Sequence, residues 1–272
     1  EVDATVHVVR CFEDENITHV ESSVDPVRDI GTINLELILA DMETVQKRLD
    51  RAKNAAKGGD KKFIAEAEFY QKVLDHLGAE QCARTLELSD EEKEWMRDLF
   101  LLTSKPVIYA ANIAEKDMGK PDAELPYVQA VEKFAAAEGS EVLVICAKTE
   151  EELSQLPPEE AQMFLEELGL AESGLSRLIK KSYSLLGLIS YLTAGEKETR
   201  AWTIAKGTRA PQAAGKIHSD FEKGFIRAEV VDWRTLLECG SYTAAKEKGK
   251  VRSEGKDYVM QDGDVVLFRF NV

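Results

Sequence analysis

Three short, nearly continuous apolar runs, at 4–12, 106–111 and 141–146, constrain this chain more than any other feature. They are rich in β-branched residues and lack the polar alternation of a half-solvated strand. Strands buried on both faces read this way, and such strands occur in parallel sheets covered by helices. Helical patterns lie between the runs, so an α/β fold with a parallel sheet is the economical architecture. The second run stops at Asn112; a polar loop then leads to an amphipathic helix with Val128, Val131, Phe134 and Ala135 on one side.

The stretch between the first two runs has a different period. Leu35, Ile38, Met42, Val45, Leu49, Ala52 and Ala56 alternate spacings of three and four, which is an a/d seam. Lys57-Gly58-Gly59-Asp60 interrupts it, and Phe63, Ala67, Tyr70, Leu74 and Leu77 resume the spacing. Two helices joined by a glycine turn make an antiparallel hairpin, inserted here between two strands. Its outward positions carry Lys, Arg, Glu and Asp, so it is expected to project into solvent. Ser89-Asp90-Glu91-Glu92 is a capping box opening a further helix that carries Trp95, Met96, Leu99 and Phe100.

After the third run, 150–188 reads as helices with a break at 168–174. Beyond Gly195 the character changes. Strands are expected at 199–204 and 226–231, flanking one amphipathic helix over 211–223. Residues 257–260 and 265–270 read as a strand pair turned by Gln261-Asp262-Gly263-Asp264, since Asp-Gly favours tight hairpins. One helix among short strands describes a small α+β module of ubiquitin-like size.

At 272 residues, 44% of them apolar, the chain can hold two domains or one with a large insertion. The longest uncharged apolar run, 183–194, has 12 residues, too few to span a bilayer as a helix. The first residues lack the order of a signal peptide, and no Met opens the chain, so Glu1 is not expected to be the native start. Cys11, Cys82, Cys146 and Cys239 are far apart with no Cys-x-x-Cys pair, which excludes the usual disulfide-framework and zinc spacings. Cys11 and Cys146 end strand-like runs, where a cysteine is a small hydrophobe. A reducing, cytoplasmic setting is expected.

The net charge of −15 argues against coating bare nucleic acid with the whole surface. From residue 188 onward, however, 14 Lys and Arg face 12 Asp and Glu, or +2, which leaves −17 on the rest. Either ordinary variation between domains or a polyanion contact in the last third accounts for this asymmetry.

Asn112-Ile113-Ala114-Glu115 sits at the C-terminal end of a strand, where open α/β sheets bind ligands. In G proteins a similarly placed Asn-Lys-x-Asp reads guanine. Ile113 in place of Lys and the longer Glu115 in place of Asp both weaken that bidentate fit. Taken alone, Asn-x-x-Glu more often caps a helix or makes a turn. The third run ends Ile145-Cys146-Ala147-Lys148, placed like the Ser-Ala-Lys loop that approaches the base from its other side. It also fits an ordinary strand end.

Lys206, Arg209, Lys216, Lys223 and Arg227 outnumber the acids around 210–225 and are candidate contacts to RNA phosphates, or simply a solvated face. His218 is ambiguous, a lone His being more often structural than catalytic. His7, His19 and His76 have no nucleophile or metal pattern around them, and no catalytic set is visible. No Gly-x-x-x-x-Gly-Lys-Ser/Thr phosphate loop occurs in these 272 residues.

In this order, Asp3-Ala4-Thr5-Val6-His7-Val8-Val9-Arg10-Cys11-Phe12, Lys57-Gly58-Gly59-Asp60, Asn112-x-x-Glu115 and Arg200-Ala201-Trp202-Thr203-Ile204 resemble the YchF subfamily of Obg-like P-loop proteins. So do the segment 210–228 and Gly255-Lys256-Asp257-Tyr258-Val259-Met260-Gln261-Asp262-Gly263-Asp264-Val265. The resemblance covers essentially the whole chain. It implies a partial G domain at 1–27 and 101–187, a coiled-coil insertion at 28–100, and a TGS domain of β-grasp fold at 188–272.

It further implies ATP preference over GTP, Mg²⁺-dependent hydrolysis, ribosome or ribosomal RNA binding, and a regulatory role in translation or stress response. Asn112 and Glu115 would face the base, Ile113 would line it through backbone and side chain, and Cys146 and Ala147 would close the other side. The phosphate loop, the Mg²⁺-binding hydroxyls and the switches would precede Glu1, leaving these residues inactive on their own. A non-catalytic ribosome- or RNA-binding module and a GTPase of relaxed base choice are the competing readings.

Overall fold

The structure, a computed structural model, describes residues 2–17, 23–195 and 198–271. His19 lies outside the described residues. The chain divides into two compact units, Glu1–Ser182 and Tyr183–Val272.

The first unit is built on a parallel sheet of β1 (Thr5–Arg10), β2 (Val107–Asn112) and β3 (Glu141–Ile145), in that order. The middle strand is buried from Val107 to Ala111, as an apolar run without alternation requires. Helix α4 (Pro126–Glu138) lays Val128, Val131 and Ala135 into the core with Val9, Tyr109 and Ala111.

Between β1 and β2 the chain forms α1 (Pro26–Ala56), α2 (Lys61–Gly78) and α3 (Asp90–Leu99). Asp25 caps α1 through Arg28 N at 3.1 Å, with Pro26 in the first turn where its missing N–H costs nothing. Gly59, at φ +78, reverses the chain, and Asp60 caps α2 through Lys62 N at 2.9 Å. The seam is real: Ile38, Val45, Leu49 and Ala52 are buried against Phe69, Tyr70, Val73 and Leu77. Leu35 departs from it and is 40% exposed.

The expected capping box is present: Ser89 N donates to Glu92 Oε2 at 2.7 Å, and Glu92 N to Ser89 Oγ at 3.3 Å. Phe100, expected on that helix, instead ends it in a left-handed conformation and is 68% exposed.

Two polar ties fasten this helical insertion to the sheet. Asp41, buried in mid-α1, accepts from Leu102 N and Thr103 N, both at 2.7 Å, and from Thr103 Oγ1 at 2.6 Å, just before β2. Arg84 reaches Glu138 at the end of α4 at 3.1 Å, and Tyr109 Oη donates to the same carboxylate at 2.7 Å. Three helices follow β3: α5 (Ala147–Gln155), α6 (Pro158–Glu167) and α7 (Gly174–Leu185). Glu150 caps α7 by accepting from Gly174 N at 2.6 Å and Leu175 N at 3.0 Å.

The second unit is a mixed five-stranded sheet with helices on both faces. It runs β4 (Leu188–Ala194), β5 (Thr199–Ala205), α8 (Ala210–Ile217), α9 (Ser219–Lys223) and β6 (Phe225–Asp232). Then come α10 (Trp233–Cys239), α11 (Tyr242–Glu247), β7 (Arg252–Glu254) and β8 (Asp264–Phe270). The strand order is β5-β4-β8-β6-β7, with β4 and β8 parallel and the other pairs antiparallel. On one face Ala213 and Ala214 of α8 pack against Tyr191, Ala228, Val230 and Phe268. On the other, Ala245 of α11 covers Val231 and Val265.

Several sequence expectations fail in this unit. The single helix over 211–223 is two, because His218 is extended (φ −160) and its Nδ1 accepts from Asp220 N to start α9. The 257–260 and 265–270 segments do not pair. Instead Tyr258 and Met260 bond to Ala210 N and Thr208 O, at 2.9 and 3.0 Å. The Asp-Gly turn is held by β4: Ser190 N donates to Asp262 Oδ1 and Gly263 N to Ser190 O, both at 2.8 Å. A side chain at Gly263, φ +81, would strike Trp233. β4, α10, α11 and β7 were not anticipated.

Among the described residues no helix is long and apolar enough to cross a membrane. Cys11, Cys82 and Cys146 are buried free thiols, and Cys239 is half-buried. Burial pushes the Cys11 thiol up to about 12.

Candidate functional site

The C-terminal ends of β2 and β3 lie side by side, since Asn112 is in register with Ile145. The ladder continues one step past each end: Cys11 N donates to Asn112 O and Ile113 N to Ile145 O, both at 2.8 Å. The loops leaving β2 and β3 are therefore neighbours by construction. Asn112 joins them, its Oδ1 accepting from Ala147 N, the first amide of α5, at 2.9 Å. That N–H has no partner within its own helix, so the Asn side chain takes the place of a cap that Cys146 does not supply.

A second link lies further out. Lys148 Nζ meets Glu115 Oε2 at 2.8 Å, with the two side chains 67% and 51% exposed. This bond to Glu115 raises the Lys148 ammonium above its ordinary value. A third, Thr149 Oγ1 to Met118 Sδ at 3.1 Å, closes the base of the two loops.

Asn112, Ile113, Glu115, Cys146 and Ala147 are thus brought together, but in different capacities. Ile113 is 7% exposed and Cys146 5%; both side chains sit in the core with Val9, Cys11 and Val128. They set the backbone, while Asn112, Glu115, Lys148 and the Ala147 amide carry the surface chemistry. In the sequence Lys148 reads only as part of a strand-end loop. Its position one residue into a helix facing Glu115 is the signal that identifies it.

Such a pair of loops offers an amide, a carboxylate and an ammonium at the open end of a parallel sheet, where α/β folds place their ligands. The donors and acceptors suit the polar edge of a planar heterocycle. Among the described residues no group of His, Cys, Asp and Glu is arranged to hold a metal ion.

The five candidate basic residues of the last third do not share one face of the sheet. Lys206 follows β5 beside Gly187, and Arg209 precedes α8, where it pairs with Asp257 at 3.0 Å. Lys216 and Lys223 belong to the α8–α9 layer. Arg227 lies on β6 with its guanidinium 3.1 Å from Glu229, on the face opposite Ala228 and hence opposite α8.

The family model described as "YchF-GTPase_C: Protein of unknown function (DUF933)" matches residues 188–271. Over all 272 residues the chain is 56% identical to a protein of Bacillus subtilis (strain 168) called "Ribosome-binding ATPase YchF", spanning 74% of that protein. It is 48% identical, with the same coverage, to a protein of the same name from Escherichia coli O157:H7. Among solved structures, "Structure of the Schizosaccharomyces pombe YchF GTPase" superposes with a TM-score of 0.83 at 37% identity, covering 98% of this chain and 72% of that one. On full-chain identity of this order, together with the shared fold, the chain belongs to the YchF family.

Proposed function

We propose that this chain carries the base-recognition side of a ribosome-associated ATPase that prefers ATP to GTP. The observation that carries this reading is the Asn112–Ala147 clamp, which holds two loops at the sheet's open end with Glu115 beside them. The relatives called ribosome-binding ATPases supply the class. Guanine presents two adjacent donors on one edge, and a carboxylate with both oxygens free accepts them. Lys148 occupies Oε2 of Glu115. With Oε2 engaged by Lys148 the other oxygen is the better acceptor, which matches the single amino group of adenine better than guanine's pair.

The residues 1–27 with 101–187 then form the nucleotide-base side of a G domain, 28–100 a coiled-coil insertion, and 188–272 a TGS module of β-grasp fold. Magnesium-dependent hydrolysis and a switch role in translation or stress response belong to the same proposal. The residues described here act on the base, not on the phosphates. A GTPase of relaxed base choice is the second reading, favoured by the name of the Schizosaccharomyces pombe structure. A non-catalytic ribosome- or RNA-binding module is the third, favoured by the lack of a phosphate-loop motif in these 272 residues.

Amide NMR of the 272-residue chain tests the site directly. Millimolar AMP should shift the Asn112 side-chain amide and the Ala147 and Lys148 backbone signals. Shifts confined to other surfaces would move the nucleotide elsewhere.

A further inference from the structure

In the second unit, two arginines face each other across adjacent strands: Arg227 of β6 and Arg269 of β8 are direct register partners. Like charges directly opposite in an antiparallel pair repel. A third cation, Lys246 of α11, approaches the same spot. All three converge on Glu229, whose side chain is 7% exposed. Arg269 grips it through Nε at 3.3 Å and Nη2 at 3.2 Å, Arg227 through Nη2 at 3.1 Å, and Lys246 stands at 3.9 Å. Tyr242 Oη adds a fourth bond at 2.9 Å.

One carboxylate cannot balance three cations, so the cluster keeps a surplus of two positive charges. Nor is the surplus hidden: the Arg227, Arg269 and Lys246 side chains are 51%, 46% and 61% exposed. Had the network served only to neutralise a buried acid, one bidentate arginine and the tyrosine would suffice. Instead the acid and Tyr242 hold two guanidinium planes in place, with Arg227 Nε and Nη1 and Arg269 Nη1 bonded to nothing among the described residues. Ordering these long side chains in advance removes the entropy that binding would otherwise cost. Planar, fixed, outward guanidinium donors fit phosphate oxygens. Leu267, the register partner of Glu229, is 39% exposed and adds apolar surface beside the charges.

We infer that the face of the β6–β8 pair bearing Arg227, Arg269 and Lys246 binds the phosphodiester backbone of RNA. The inference deepens the ribosome-association reading and rests on it for the source of that RNA. It also relocates the contact. Lys216 of α8 and Lys223 of α9 belong to the layer on the opposite side of the sheet.

The test uses the 272-residue chain with two charge-matched double variants, Arg227→Glu/Lys246→Glu and Lys216→Glu/Lys223→Glu. Arg269 and Tyr242 are left intact so that Glu229 stays partnered, and thermal unfolding confirms that both variants fold. Each is measured for co-sedimentation with ribosomes and for binding to protein-free ribosomal RNA across a salt series. The first variant should lose about tenfold or more in RNA affinity, with a salt slope smaller by about two, one per phosphate contact removed. The second should stay within about twofold of the parent.

Equal losses in the two variants would reduce the effect to net charge and overturn the inference. So would unchanged binding in the first variant, or no RNA binding by the parent chain. Cluster-dependent ribosome binding without any binding to free RNA would mean an acidic protein partner, which also overturns it. RNA binding that depends on the cluster, with no ribosome binding, would sustain the inference and sink the ribosome reading.

Discussion

Asn112 spans the two loops at the open end of the parallel sheet, its Oδ1 accepting the Ala147 amide hydrogen at 2.9 Å. Replacing it by Ala leaves that helix-terminal N–H without its partner and costs about 1 kcal/mol. Asn112→Asp keeps the acceptor, so its urea midpoint should stay near the parent's while Asn112→Ala falls. Both should weaken nucleotide binding, because both remove the amide's donor. Equal stability losses in the two variants would show that the bond does not set the loops.

Lys148 and Glu115 are both well exposed, and an exposed ion pair contributes less than about 1 kcal/mol to stability. Lys148→Met should therefore leave urea denaturation almost unchanged. Its effect should appear in base choice: with Oε2 of Glu115 released, affinity for GTP should rise relative to ATP. A variant whose ratio does not move would show that Lys148 plays no part in discrimination.

Arg84 and Glu138, each 11% exposed, form a largely but not fully buried pair between the helical insertion and α4. Removing one partner strands the other charge, so Arg84→Met and Glu138→Gln should each cost roughly 3 kcal/mol or more. The combined Arg84→Met/Glu138→Leu should cost clearly less than the sum. Strict additivity in a double-mutant cycle would argue that the two residues act separately.

Glu229 is held near 2 rather than its ordinary 4.5, chiefly by its bonds from Arg269. A carboxylate depressed on folding adds stability that is complete above the unfolded value and lost as pH falls through the folded one. Stability should therefore decline from about pH 4.5 toward about pH 2, and Glu229→Gln should flatten that part of the profile. An identical acid limb in the variant would contradict the assignment.

The parts of this fold that were legible in the sequence are those where one physical requirement acts over many residues. Burial on both faces wrote β2 as a continuous apolar run, and the α1–α2 seam repeated every three or four residues. The second unit was harder because its elements are short and its turns are tertiary. The helix break at His218 depends on one side-chain nitrogen reaching Asp220 N. The Asp262-Gly263 turn looked like a hairpin, yet its partners lie 72 residues away at Ser190. β4 was masked because its apolar residues run on from α7 with only Leu186 and Gly187 between.

At the site, Asn112 and Glu115 could be named from spacing, and the burial of Cys146 agrees with its reading as a small hydrophobe at a strand end, whereas the core burial of Ile113 was not legible. The Arg227–Arg269 pairing needed the β6–β8 register, which no local pattern encodes.

The central claim is that the Asn112–Glu115 loop and its Ala147–Lys148 neighbour select adenine. The most direct measurement is equilibrium titration of ATP and GTP against the protein extended to the full length of its relatives. ATP should bind at least about tenfold tighter, ~1.4 kcal/mol, the scale of one mismatched polar contact. Equal affinities, or tighter binding of GTP, would contradict it.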